Sequence, residues 1–266
     1  MTNTESPPNL GEPVAPKMSL GGRLMNVFIS PSEVFDEAKS SPHEAMNWIV
    51  PAVAAIIAGI IYSMVVFSQP QIGQAMREAQ EKQMQTMVDK GRMTRQQADR
   101  ALAMSEQWTG PTAMKVYGIV GSIIGTGIKL SFIALLLWLI GNFALKTPFD
   151  YGKAIEVAGL AGVVSVLDSI VRMLLAVIFT NPSMNLGPVL FVGHFDPQNR
   201  VHALLAWCDV FLFWEIALWS LGLARLSGQS FLKSFLWVFG CVAAIAGSCM
   251  GIALSLSKMM AGLGGK

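Results

Sequence analysis

The chain of 266 residues predicts an all-α, polytopic membrane protein, a bundle of five transmembrane helices, and three observations predict it. Apolar residues make up 53% of the chain and charged ones 14%, against about 25% charged in an ordinary soluble domain. The apolar residues gather into five runs, 48–67, 116–140, 154–179, 204–223 and 232–256, and about 20 such residues cross a bilayer as a helix. Trp48, Trp138, Trp207, Trp219 and Trp237 lie towards the run ends, as an interfacial aromatic belt places them, while Trp214 lies deep in the fourth.

Residues 1–18 are polar, carry Pro7, Pro8, Pro13 and Pro16, lack the apolar region of a signal peptide, and read as a disordered tail. Residues 19–47 hold an amphipathic pattern: Leu20, Leu24, Val27 and Phe28, then Val34, Phe35 and Ala38. Pro31 divides it into two short helices with Ser30 or Ser32 as N-cap, which predicts an elbow lying on the membrane face with its apolar side down. Pro51 falls in the first turn of the first span, where its missing N–H costs little, and Gly141-Asn142 is placed to cap the second. The membrane domain so read covers 48–256, and a short tail follows at 257–266.

A polar insertion, 69–115, interrupts that domain. In it Ile72, Ala75, Met76, Ala79, Gln83 and Met87 recur at helical spacing, and Gly91 follows Lys90 as a C-cap does. Thr94 and Gln97 make a capping box for a second helix, so the insertion is an αα-hairpin outside the bilayer. The later stretch 181–201 mixes Leu186, Val189, Leu190, Phe191 and Val192 with Pro182, Gly187, Pro188 and Gly193. It is too short and too broken to span, and is expected to cover the bundle end or dip into the interface.

Charges inside the spans are the candidate functional residues, because an unpaired charge at bilayer depth costs roughly 2.5–3.5 kcal/mol on insertion scales. Asp168 and Arg172 stand one turn apart, acid first, and neutralise each other on one helix face. Lys129 is placed to pair with Asp168 or Asp209 across the bundle. Asp209 and Glu215, six residues apart, cannot share a narrow helix face, so one of them is expected to look towards an interface or the headgroups. Together these five form a candidate intramembrane polar network, read as a proton or ion pathway, as a polar contact to a partner subunit, or as pairs that fix which helices adjoin. Gly121-x-x-x-Gly125, extended by Gly118, and Gly247-x-x-x-Gly251 are expected to bring helices close, and leave room for a homo-oligomer.

Other chemistry is not encoded in recognisable form. A net charge of +2 gives no footprint for nucleic acid. Cys208, Cys241 and Cys249 all fall in apolar runs, where packing rather than disulfides is expected. His43-Glu44-Ala45-Met46-Asn47 begins like a zinc-protease helix but has Asn47 where the second histidine belongs. Neither a GxSxG elbow nor a Walker A loop is present, and Gly125-Thr126-Gly127 lies inside a span. His194, Asp196 and His202 share a loop as scattered polar residues, and Met84 and Met87 on the hairpin read as packing; neither set is taken as a metal site. No cofactor, metal or catalytic residue is expected, and the chain is read as non-enzymatic.

The stretch Phe28-Ile29-Ser30-Pro31-Ser32-Glu33-Val34-Phe35, with Trp48 and Pro51 opening the first span, resembles the start of the bacterial branch of the YIP1 family. Thr94-Arg95-Gln96-Gln97 resembles that family's T-x-E-Q hairpin helix, with Gln96 in place of the usual acid. Phe149-Asp150-Tyr151 resembles its loop into the third span, and Asp209-x-Phe211-x-x-Trp214 with Gly222-Leu223-Ala224 its fourth. The resemblance implies an integral membrane protein with a cytoplasmic N-terminus, an orientation that the Lys and Arg positions do not decide. It transfers no catalytic residue. The expected function is a scaffold or accessory subunit of the bacterial inner membrane, in contact with lipid and with another membrane complex such as an exporter. The alternative is a small transporter using Lys129, Asp168, Arg172 and Asp209 as a midplane site.

Overall fold

Pro31 cannot donate to a continuous helix, and the N-terminal amphipathic stretch breaks there into α1 (Leu20–Ile29) and α2 (Pro31–Ser40). Ser19 caps α1 by accepting from the Gly22 N–H at 3.1 Å, whereas Ser30, at the start of α2, makes no side-chain cap bond. The computed structural model describes residues 18–192 and 200–263. After the elbow come α3 (Met46–Val66), α4 (Pro70–Asp89), α5 (Arg95–Thr109) and α6 (Pro111–Leu139). They are followed by α7 (Tyr151–Ala161), α8 (Val164–Ile178), α9 (Arg200–Trp207), α10 (Val210–Ser227) and α11 (Phe231–Leu263).

Among the described residues, five stretches are long and apolar enough to cross a membrane: Met46–Val66, Pro111–Ala144, Tyr151–Ile178, Val210–Ser227 and Phe231–Ser248. The protein is therefore a polytopic α-helical membrane protein. Its third span bends between α7 and α8 at Gly162, and its second runs on past the expected Gly141-Asn142 stop as a π turn, Ile140–Ala144. Gly141 serves a different need: a Cβ there would lie 2.1 Å from the Phe149 ring. The fourth span is shorter than the apolar run. Asp209 accepts from the Phe211 N–H at 2.9 Å, starting α10 at Val210 and cutting off α9 as a separate helix.

α10 is the central helix, with 61% of its spanning residues buried against 11–22% in the other four spans. The rest present Ile57, Ile61, Ile123, Ile124, Ile128 and Leu174 outward, as lipid-facing helices do. The elbow corrects its expected placement. Val27, Val34, Phe35 and Ala38 are fully buried in the same core as α7 and α10, so the apolar side faces protein, not lipid. α1 and α2 fold back on each other along α10: Asp36 and Lys39 meet Arg225 near its end, and Phe28 sits edge-on to Trp214 at 5.6 Å. Trp214 and Arg225 are eleven residues apart, about 16 Å along the helix. A pair this deep is a wedge. Met25 and Ile29, 65% and 73% exposed, are left on its outer side.

Of the glycines expected at close helix contacts, Gly118 stands at one and the others do not. A Cβ added to Gly121, Gly125, Gly247 or Gly251 would meet nothing within 4 Å. At Gly59 it would stand 2.5 Å from the Ser122 hydroxyl, at Gly118 2.0 Å from that of Ser63, and at Gly159 2.3 Å from Trp48 Cβ. Spacing alone shows that glycines share a face, and here the neighbour decides which of them is needed: a serine opposite Gly59 and Gly118, the Trp48 backbone and Cβ opposite Gly159. α4 and α5 form the hairpin, with Gly91 at φ +66° ending the first and the reciprocal Thr94–Gln97 bonds, 2.8 and 3.2 Å, opening the second.

Candidate functional site

The five charged span residues converge on one cavity of about 540 Å³, although by pairings other than those expected. Lys129 of α6 reaches neither Asp168 nor Asp209. Its Nζ donates to both carboxylate oxygens of Glu215, at 2.7 and 2.8 Å, and to Ser165 Oγ at 3.0 Å. Ser165 in turn donates to Glu215 at 2.5 Å, and the ammonium stands 5.8 Å from the centre of the Trp219 ring. Arg172 Nε donates to Asp168 at 2.6 Å, and Arg172 Nη2 donates to Asp209. Asp209 and Glu215 are both buried, 2% and 4% exposed. The expectation that one of them faces outward fails because Asp209 precedes α10 as its cap, so helical angular spacing does not apply to it.

The cavity lies at the end where α8 leaves the bundle and α10 enters it, and Asn185 and Trp207 complete its wall. The loop after α8 folds over this end: Val189 is fully buried, Asn185 Nδ2 donates to the Ala206 carbonyl at 2.5 Å, and the Val210 N–H to the Leu186 carbonyl. A second cavity, about 300 Å³, starts from the same Lys129 and Asp168 and runs between α3, α6 and α8 as far as Pro51. Gly121 and Gly125 line it, which is where the open space at these glycines lies. The ion pairs thus stand as a partition between two cavities.

A second polar cluster, at the base of the elbow, holds residues the sequence reading passed over. Arg23 is 1% exposed and bonds Glu37 at 2.9 Å, Glu44 at 2.5 Å and Asn47 at 2.9 Å. Glu156 of α7, fully buried, accepts from Asn47 Nδ2 at 3.0 Å and the Glu44 N–H at 2.9 Å. His43 Nδ1 lies 2.6 Å from Glu156, and Lys153 Nζ, 3.4 Å from Glu156, also donates to the Ala38 and Ser41 carbonyls. Burial, the largest single effect on Arg23, favours its neutral form. Hydrogen bonds and Coulomb attraction from Glu37 and Glu44 together outweigh burial and hold its pKa above the ordinary arginine value. The visible signals were a lone arginine in an apolar elbow and a Lys-x-x-Glu pair opening the third span. His43-Glu44-x-x-Asn47, a failed zinc motif, is one face of this cluster.

Among the described residues no three His, Cys, Asp or Glu side chains come together as a metal site. His194 and Asp196 lie outside the described residues. A helical elbow docked on the third and fourth spans, five spans, and a hairpin between the first two make up the fold in which both polar clusters lie. Residues 25–253 match the Yip1 domain. The chain belongs to the Yip1 family. No curated protein and no solved structure matches it. Both polar clusters fall inside the Yip1 domain save Arg23, which precedes the matched residues by two positions.

Proposed function

We propose that this Yip1-family protein is a non-enzymatic scaffold or accessory subunit of the bacterial cytoplasmic membrane. Its elbow and N-terminus lie on the cytoplasmic side, and it binds another membrane complex such as an exporter. The observation that carries the reading is the α4–α5 hairpin. It stands outside the spans, its buried side chains are confined to Ile72 and Ala98 among the described residues, and Met104 and Trp108 are 68% and 61% exposed on it. A helical pair with so little of its own apolar surface covered is suited to docking on a partner. The bundle charges, each met by an opposite charge, act in this reading as registers that fix helix order.

Crosslinking in native membranes followed by mass spectrometry identifies the partner, and a deletion of 71–107 bridged by a short linker tests the surface. The deletion removes the crosslinked partner while the bundle stays inserted and folded. Undiminished recovery of the partner refutes the hairpin as the interface. A second reading, a small transporter working through Lys129, Asp168, Arg172 and Asp209, draws on the two cavities that meet at Lys129 and Asp168. Flux through purified protein in liposomes, lost on replacing Asp168 and Arg172 together while insertion is kept, would favour it over the scaffold.

A further inference from the structure

The network between the cavities does not balance: Asp168, Asp209 and Glu215 face only two cations, Lys129 and Arg172. Where the surplus rests follows from the hydrogen bonds. Glu215 commits both oxygens to Lys129, and one also accepts from Ser165. Asp209 commits one oxygen to Arg172 and the other to the Phe211 N–H. Asp168 accepts only from Arg172 Nε, through Oδ1, and shares that guanidinium with Asp209. Its Oδ2 meets no donor among the described residues. Asp168 keeps 23% of its side-chain surface open beside the cavities, and an unbalanced carboxylate there is neutralised most simply by a positive charge taken up from outside.

Two further observations say how that charge arrives. Asp168 lines both cavities, so it is reached from the wider one without opening the bundle. Asn185, 1% exposed, lines the wider cavity too, and its Oδ1 is a buried acceptor with no donor. A buried orphan acceptor beside a polar cavity is a seat for ordered water, and water is the carrier of protons. The donor set decides between a proton and a metal ion. A proton needs one oxygen, which Asp168 Oδ2 supplies, whereas among the described residues no three acidic, histidine or cysteine side chains gather to ligate a metal ion.

We propose that Asp168 is a proton-binding site of the bundle, loaded through the cavity beside Asn185. Hydronium in the cavity gives its proton to Asp168 Oδ2 and leaves as water. The remaining carboxylates, Asp209 and Glu215, then match Arg172 and Lys129 one for one, and Arg172 is held by Asp209 alone. The groups facing Asp168 are Arg172 on its own helix, Lys129 from α6, Asp209 and Glu215 from the α10 end, and Tyr62 from α3. The site stands apart from the scaffold reading: it asks for binding, not transport, and the hairpin deletion leaves it untouched.

Infrared difference spectroscopy of the full-length protein in lipid nanodiscs, between neutral and acidic buffer, tests it. The expected result is a protonated-carboxyl C=O band that shifts in D2O, is lost in Asp168→Asn, and appears only at lower pH in Asp209→Asn, where Arg172 is left to Asp168 alone. Surface carboxyls contribute equally to protein and variant and cancel on subtraction. If Asp168→Asn fails to fold, Asp168→Glu replaces it and must move the band's frequency. A band that survives Asp168→Asn, an unmoved band in Asp168→Glu, or no band in the unaltered protein overturns the proposal. Abolition of the band by monovalent salt at fixed pH also overturns it, in favour of a cation site.

Discussion

Replacing Arg23 with methionine keeps most of the aliphatic stem in place and removes three hydrogen bonds, to Glu37, Glu44 and Asn47, from a side chain 1% exposed. Removing one partner of a buried ion pair costs about 3–5 kcal/mol. Here the lower end applies, because Glu37 and Glu44 keep 17% and 31% exposure and recover hydration, while Asn47 Oδ1 is left buried without its donor. A loss of about 3 kcal/mol is a factor of roughly 100 in the equilibrium for undocking the elbow. The assay is thiol labelling of Val34→Cys, a position fully buried against the bundle, in a chain whose Cys208, Cys241 and Cys249 are replaced by alanine. With docking fast relative to labelling, Arg23→Met raises the labelling rate by that factor of about 100. An unchanged rate would show that the elbow is held by its apolar face alone and would refute the reasoning.

Gly159→Val forces a Cβ to within 2.3 Å of Trp48 and should cost about 1–3 kcal/mol in detergent unfolding, while Gly121→Ala stays near neutral; equal losses would mean α3 and α7 are not in close contact. Lys129→Met leaves Glu215, 4% exposed, with Ser165 as its donor and, Lys129 being half exposed, should cost about 3 kcal/mol, the lower end for a buried pair, most of it recovered when Glu215→Leu is added. No recovery in the double variant would deny the pairing. Thr94→Ala removes one half of the capping box and should lower stability at the start of α5 by about 1 kcal/mol, read as faster amide exchange there and not in α4.

The spans were legible because their signal is composition over twenty residues, which no tertiary contact overrides. The hairpin was legible for a different reason: Gly91, Thr94 and Gln97 set their own backbone conformation locally. The elbow's depth was not, since an amphipathic stripe reads the same whether it meets lipid or protein. Asp168 and Arg172 could be paired from spacing, but Lys129 met Glu215 because helix rotation about α10 is set by packing, not by sequence distance. Asp209 looked like a mid-helix acid and is a cap, and nothing in an unbroken apolar run marks where a carboxylate will stop it. Glu156 was overlooked for the opposite cause: it sits where a headgroup-level charge is ordinary, and only the folded elbow buries it.

The elbow on α10 also sets an order of events. Lys39 donates to the Arg225 carbonyl across 186 residues, so the first helices of the chain have no complete seat until the fourth span has been inserted. During synthesis α1 and α2 must wait, with Val27, Val34 and Phe35 uncovered, while three spans pass into the bilayer. A chain halted after α8 would hold its ion pairs at Glu156 yet lack the wall that Trp214 and Leu223 supply. Full seating of the elbow therefore comes last: α7 offers one wall of its seat, and only α10, through Trp214 and Leu223, closes the other.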